Sequence, residues 1–123
     1  EYAAFMQTFR GGLTEMALGM MSPDYMDPDS VAYFIGYSTS SYSKRVHLND
    51  TLLDQLILKG TATTDPSQRA EIYGDIQDRL ADLMTYVPLV KVVNYWFYNA
   101  KIGGVQGYYM SALVLYPISK SES

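Results

Sequence analysis

A periodic apolar pattern after residue 64 constrains the fold of this 123-residue chain more than any other feature. Asp65 can cap a helix, Pro66 fits the first helical turn, and Gln68 can reach back as a capping-box partner. The apolar residues that follow recur at helical spacing: Tyr73, Ile76, Leu80, Leu83 and Met84. The sequence therefore predicts an amphipathic helix of about five turns that buries this face and is ended by Pro88.

Three shorter helices are expected from spacing and capping signals. Asp27 suits an N-cap and Pro28 the first helical position, which predicts a short helix to about residue 36. Asn49 or Asp50 can cap the next helix. Residues 2–9 place aromatic side chains and Met at helical spacing and should end at the following glycine pair.

Two apolar segments favour strands, residues 13–21 and residues 89–98, the second being dense in Val, Tyr, Trp and Phe. Residues 112–116 indicate a last short strand, and residues 119–123 a polar tail. Residues 36–45 are rich in Ser and Tyr without a period, which predicts a loop. Helices mixed with non-consecutive strands favour an α/β lobe.

Three carboxylates lie within six residues, at Asp24, Asp27 and Asp29, with no Lys or Arg between Arg10 and Lys44. Proline, glycine and serine around them predict a loop that displays these side chains. Carboxylates held close together raise one another's cost of ionisation, so they need a cation: a metal, a Lys or Arg, or a ligand's ammonium group. Asp27 and Asp29 suit structural roles, as a helix cap and a first-turn acid.

Composition excludes several classes of function. An apolar content of 48% with 18% charged residues is typical of a globular protein, and the net charge of −4 without a basic stripe argues against nucleic acid. The chain has no cysteine and one histidine, His47, so transition-metal ligands are scarce. An EF-hand calcium loop counted from Asp24 fails at its third, sixth and twelfth positions. No catalytic or phosphate-binding motif is present, so we expect neither an enzyme nor a cofactor.

The order of these motifs resembles the C-terminal part of the family 5 solute-binding proteins, the peptide- and nickel-binding receptors of ABC importers. That family places a Gly-Trp pair before Asp-x-x-Asp-Pro, then two helices, the second starting with Asp-Pro-x-x-Arg and leading to a Pro-Leu strand. The matching residues are Gly19, Asp24–Asp29, Leu52–Asp54, Asp65–Tyr73 and Val87–Leu89. The resemblance covers about residues 13–105.

The resemblance implies a periplasmic-binding-protein type II-like α/β lobe. Residues 1–123 would form one C-terminal lobe fragment, because the chain opens in mid-pattern and family members are several times longer. It implies an extracytoplasmic receptor that binds oligopeptides or dipeptides between two lobes and delivers them to ABC permease subunits. The expected partners are therefore a peptide or other small solute, the permease and the missing N-terminal lobe.

The resemblance also implies a ligand site. The Asp that begins the Asp-x-x-Asp-Pro pattern, Asp24 here, pairs with the ligand's α-amino group in similar receptors. Met20 stands where those receptors usually carry Trp, which suggests a softer pocket wall or another ligand class. The candidate ligand-binding residues are Asp24, Met20, Met21, Tyr25, Tyr33 and Tyr37.

Two alternatives remain open. The chain could be an autonomous interaction module whose acidic, Tyr-rich loop docks a basic protein, or a receptor of the same family for oligosaccharides. Binding that requires a second lobe favours a receptor, whereas full-strength binding by this chain alone favours the module.

Overall fold

The structure is a computed structural model that describes residues 1–93, 95–107, 113–114 and 116–121. Most of the regular structure in these residues is helical, and no helix among them is long and apolar enough to cross a membrane. The helices are α1 (Tyr2–Arg10), α2 (Pro28–Gly36), α3 (Ser41–Arg45), α4 (Thr51–Ala62) and α5 (Pro66–Leu83).

Three of the helices begin at aspartate caps. Each side chain accepts a hydrogen bond from a backbone N–H two or three residues further along, which satisfies a donor that the helix itself leaves unpaired. The caps are Asp27, Asp50 and Asp65, so the helix starts predicted at Asp27 and Asp65 are confirmed, and Asp50 rather than Asn49 caps α4.

Helix α5 spans 18 residues and buries Tyr73 and Ile76 as the apolar period predicts. The prediction was wrong at its end. Met84 takes a left-handed conformation with φ of 51°, and its N–H bonds back to carbonyls of the last turn. This cap turns the chain outward four residues before Pro88, and Met84 is therefore 68% exposed instead of buried.

The core lies where α4 packs against α5 and α2 packs against α4. Leu53 and Ile57 of α4 are fully buried at its centre, with Ile76 of α5 against them. Burial of such side chains is the main favourable contribution to folding, about 1.5–3 kcal/mol each. The buried cluster consists of Ala32, Leu48, Leu53, Ile57, Ile72, Tyr73 and Ile76.

The two long strand predictions were wrong for the residues that the structure describes. Residues 13–21 form no strand, and neither do residues 89–93 and 95–98; most of their apolar side chains are exposed. A β-rich composition shows that a segment favours extended, covered positions, but a ladder also needs a neighbouring strand. In the described residues, neither segment pairs with a neighbouring strand.

The predicted loop over residues 36–45 contains the one-turn helix α3. Ser40 caps it by accepting a hydrogen bond from the Ser43 N–H at 3.0 Å, and the Ser40 hydroxyl donates to the Phe34 carbonyl at 2.6 Å. A helix this short has no apolar period, so spacing alone did not reveal it.

The residues described near the end of the chain form four two-residue strands: β1 (Ile102–Gly103), β2 (Gln106–Gly107), β3 (Leu113–Val114) and β4 (Ser119–Lys120). β1 pairs antiparallel with β4, and β2 with β3. The strand predicted at residues 112–116 is confirmed at Leu113–Val114, while 112 and 115 lie outside the described residues. The first residues of the predicted polar tail, Ser119–Lys120, form β4 instead. Residues 122–123 lie outside the described residues.

A glycine sets the spacing between α2 and α4. A Cβ on Gly36 would lie 2.8 Å from Ile57 Cδ1 and 3.2 Å from Leu53 Cδ2, whereas a Cβ on Gly74 in α5 would meet nothing within 4 Å. Gly36→Ala should therefore lower the free energy of unfolding by about 1–3 kcal/mol through overpacking. The matched control Gly74→Ala should raise it by about 0.5–1 kcal/mol through helix propensity. Urea unfolding of both variants checks this, and equal effects of the same sign would contradict the packing.

Candidate ligand-binding site

The acidic turn, residues 24–29, is fastened to α5 by an ion pair. Asp27 Oδ1 accepts a hydrogen bond from Arg69 Nη2 at 2.6 Å and another from the Asp29 N–H at 2.8 Å. One carboxylate oxygen thus both caps α2 and holds α5. The cation that the acidic loop requires is, for Asp27, an arginine 42 residues further along the chain.

Asp29 is surrounded by hydroxyl donors instead of cations. Its Oδ1 accepts from Thr61 at 2.6 Å and from Tyr73 at 3.3 Å, and its Oδ2 accepts from Tyr25 at 3.1 Å. Its position in the first turn of α2 adds the favourable helix dipole. The structural roles predicted for Asp27 and Asp29 are confirmed.

Arg69 connects three helices around the turn. Besides Asp27, it donates through Nε to the Gly60 carbonyl of α4 at 3.2 Å and through Nη2 to Tyr73 Oη at 3.3 Å. Its guanidinium carbon lies 4.8 Å from the centre of the Tyr73 ring, which adds a cation–π contact. The planar fork of arginine allows these contacts at once, which a lysine could not reproduce.

Asp24 differs from its two neighbours. Its backbone N–H donates to Ser30 Oγ at 2.9 Å, and Ser30 is 1% exposed, so the main chain at Asp24 is fixed to the body of the protein. Its side chain is exposed, and within the described residues no ion pair or hydrogen bond reaches its carboxylate. The turn therefore fixes the main chain at Asp24 and leaves its carboxylate exposed, without an ion pair in the described residues.

Protonation follows from these contacts. The hydrogen bond from Arg69 holds the pKa of Asp27 below its ordinary value. The hydrogen bond to Asp29 raises the pKa of Tyr25, and burial, with the Asp29 charge nearby, raises the pKa of Tyr73. Both phenols therefore stay protonated at neutral pH and act as donors to Asp29.

The other candidate residues lie in the turn, in the segment before it, and on α2 and its C-cap. Tyr25 donates a hydrogen bond to Asp29, and Tyr33 of α2 stacks on the C-cap residue Tyr37 with ring centroids 4.9 Å apart. Met20 and Met21 lie in the segment before the turn, at 77% and 38% exposure. The structure thus ties Tyr25 to Asp29 within the turn and stacks Tyr33 on Tyr37, but it shows no contact that places either methionine beside Asp24.

Two open grooves lie along α5, and none of the six candidate residues lines either of them. One has a volume of about 240 Å³ and is lined by Pro28, Pro66, Arg69, Ala70 and Tyr73. The other has a volume of about 350 Å³ and is lined by Leu52, Leu56, Asp75, Asp78, Arg79 and Asp82. In the described part of the chain, no three His, Asp or Glu side chains are grouped so that they could hold a metal ion.

Sequence reasoning missed the residues that anchor the turn. Arg69 belongs to the Asp-Pro-x-x-Arg motif, but that motif predicts no partner for it, and no motif includes Thr61 or Ser30. A signal was present: three acids without a nearby base require a distant cation, and Arg69 lies on the long helix with Tyr73 four residues on, a spacing that brings the two side chains together.

Comparison with known protein families and with characterised proteins gives no match for this chain.

The Asp27–Arg69 pair predicts a specific pH dependence. Because the pKa of Asp27 is lower in the folded state, its contribution is fully present above the unfolded pKa, near pH 4, and is lost as pH falls through the folded value. Asp27→Asn keeps the cap but removes the charge, so the free energy of unfolding should fall by about 1 kcal/mol at pH 7 for this partly exposed pair. The difference in free energy of unfolding between this variant and the parent should shrink in acid. Urea unfolding at several pH values measures it.

Asp65→Asn is the matched control. Asp65 also caps a helix, but it makes no ion pair in the described residues. The difference in free energy of unfolding between Asp65→Asn and the parent should change less between neutral pH and acid. A pH dependence as large as that of Asp27→Asn would show that the Arg69 pair is not its cause.

Proposed function

We propose that this chain is the C-terminal part of an extracytoplasmic solute-binding protein that delivers oligopeptides or dipeptides to an ABC importer. In this proposal it contributes a periplasmic-binding-protein type II-like α/β lobe, and a second lobe closes over the ligand. The motif order that resembles family 5 receptors motivates the proposal. Asp24 would accept the α-amino group of the peptide.

The arrangement of the acidic turn is the observation that carries the proposal. Asp27 and Asp29 are occupied by Arg69 and by hydroxyl donors, whereas Asp24 is held through its main chain with its carboxylate exposed. The fixed main chain limits the positions that this carboxylate can reach, which lowers the cost of ordering it when a ligand arrives. An acid that only stabilised the fold would instead be expected to have a partner within it.

Enclosure explains how one carboxylate can bind strongly. On the surface an ammonium–carboxylate pair is worth about 1 kcal/mol or less. When two lobes close and exclude water, the ammonium must be paired, and losing its partner costs about 2–5 kcal/mol. The contacts of Tyr25 and of the stacked Tyr33 and Tyr37 would then cover the apolar parts of the peptide.

The exposed segment after α5 supports a second lobe. Leu89, Val90 and Val93 are more than half exposed, as are Tyr95 and Phe97. A row of large apolar side chains is suited to a sheet that further chain would complete. In the proposal this segment runs toward the N-terminal lobe and pairs there.

Hydrogen exchange checks the strand pairing. Backbone amides of residues 89–93 and 95–98 should exchange faster in this chain alone than in the longer natural protein that the proposal requires, because ladder hydrogen bonds would protect them there. Amides of α4, which is packed in both forms, serve as the internal control. Equal protection of residues 89–98 in both forms would contradict the pairing.

Peptide binding checks the role of Asp24. In the natural two-lobed protein, Asp24→Asn should weaken a peptide with a free amino terminus by about 2 kcal/mol or more, roughly thirtyfold in Kd. The N-acetylated form of the same peptide should bind the parent and Asp24→Asn about equally, since it carries no ammonium. Isothermal titration calorimetry of the two peptides against both proteins gives the comparison.

Glu15→Gln is the charge-matched control, because Glu15 is exposed in the segment before the turn. It should leave both peptides unaffected. Equal loss for the free and acetylated peptides in Asp24→Asn would remove Asp24 from ammonium binding. Full-strength binding by the 123-residue chain alone would instead favour an interaction module, and binding of oligosaccharides in place of peptides would change the ligand class.

A further inference from the structure

A line of carboxylates runs along one face of α5. Glu71, Asp75, Asp78 and Asp82 follow one another at intervals of four, three and four residues, which places them on the same side of a helix. All four are exposed. Like charges at these spacings repel one another, so this arrangement opposes the stability of the helix that carries it.

The cations of α5 neutralise this face only in part. Arg69 pairs with Asp27, and Arg79 pairs with Asp50 at 2.5 Å on the cap of α4. Asp82 lies in the last turn of α5, where the helix dipole favours positive charge, and no basic residue occupies that turn. Within the described residues, the acidic face is thus unfavourable in two respects, and neither arginine forms an ion pair with its carboxylates. The charge of Arg79 near Asp82 offsets part of the repulsion.

The acidic face borders a groove that also has an apolar wall. Leu52 and Leu56, one turn apart on α4, form that wall of the 350 Å³ groove. Asp75, Asp78 and Asp82 form the other wall together with Arg79, which is paired with Asp50. Leu52 is 53% exposed and Leu56 is half-buried. From Asp75 to Asp82 the acidic wall extends about 10 Å, which corresponds to about two turns of a bound helix.

We infer that this groove between α4 and α5 docks a basic amphipathic helix of a partner protein. Apolar side chains of that helix would cover Leu52 and Leu56, and its Lys or Arg side chains would pair with Asp75, Asp78 and Asp82. Charge complementarity selects this occupant, because the acidic wall repels phosphate and anionic lipid. The inference does not rest on the proposed peptide-binding function, since the groove contains none of the six candidate residues.

The test uses a synthetic peptide of about 16 residues with Leu and Lys at helical spacing and a fluorescent label, and a control peptide with Glu in place of Lys. Fluorescence anisotropy at about 0.15 M salt measures the affinity of each for the 123-residue chain. The Lys peptide should bind and the Glu peptide should not. Failure of the Lys peptide to bind would overturn the inference.

Paired variants locate the binding. The double variant Asp75→Asn with Asp82→Asn should weaken the binding of the Lys peptide about tenfold. The control variant Glu1→Gln with Glu15→Gln removes the same charge elsewhere and should change the affinity of this peptide less than about twofold. Equal weakening by the two double variants would show non-specific attraction and overturn the inference. The groove variant should also unfold at or above the parent temperature, because it removes repulsion.

The apolar wall has its own matched pair. Leu52 and Leu58 are both 53% exposed on α4, but only Leu52 lines the groove. Leu52→Gln should weaken the Lys peptide about tenfold through lost apolar contact, and Leu58→Gln should leave it within about twofold. Equal effects of the two substitutions would overturn the inference.

Discussion

The ion pair between Arg69 and Asp27 is the interaction on which the arrangement of this protein most depends. Arg69 belongs to the longest helix, reaches the cap of α2 and bonds the Gly60 carbonyl near the end of α4, so one side chain joins three helices. The buried contacts of Leu53, Ile57 and Ile76 supply the stability of this body. Arg69 has a different role: it fixes where the acidic turn lies on this helical body.

The position of the turn matters because the acidic residues of this chain fall into two groups, those with partners in the fold and those without. Carboxylates that fold the protein have partners: Asp27 and Asp50 are paired with arginines, and Asp29 is surrounded by hydroxyl groups. Asp24 and the acids of the α5 groove have none in the described residues. Evolved proteins tend to retain unfavourable local features where a function uses them. This contrast leads to two separate proposals, one for a ligand ammonium at Asp24 and one for a basic helix on α5.

Local signals in the sequence predicted the helices well, because their information is contained within a few residues. The Asp-Pro starts at residues 27 and 65 and the apolar period through Ile76 needed no distant partner. The strands predicted at residues 13–21 and at the described residues of 89–98 are absent, because a strand depends on a neighbour that its own sequence does not specify. Of the site, the structural roles of Asp27 and Asp29 were predictable. Their partners Arg69, Thr61 and Tyr73 lie 32 to 44 residues away in sequence and became evident only from the fold.

Native mass spectrometry of the natural protein, purified without refolding, decides whether Asp24 serves a peptide receptor. We expect a polypeptide several times longer than 123 residues that carries bound peptides, which denaturation releases with free amino termini. A protein of about the present length that carries no bound molecule, or a longer one that releases only neutral sugars, would contradict the assignment of Asp24 to a peptide ammonium.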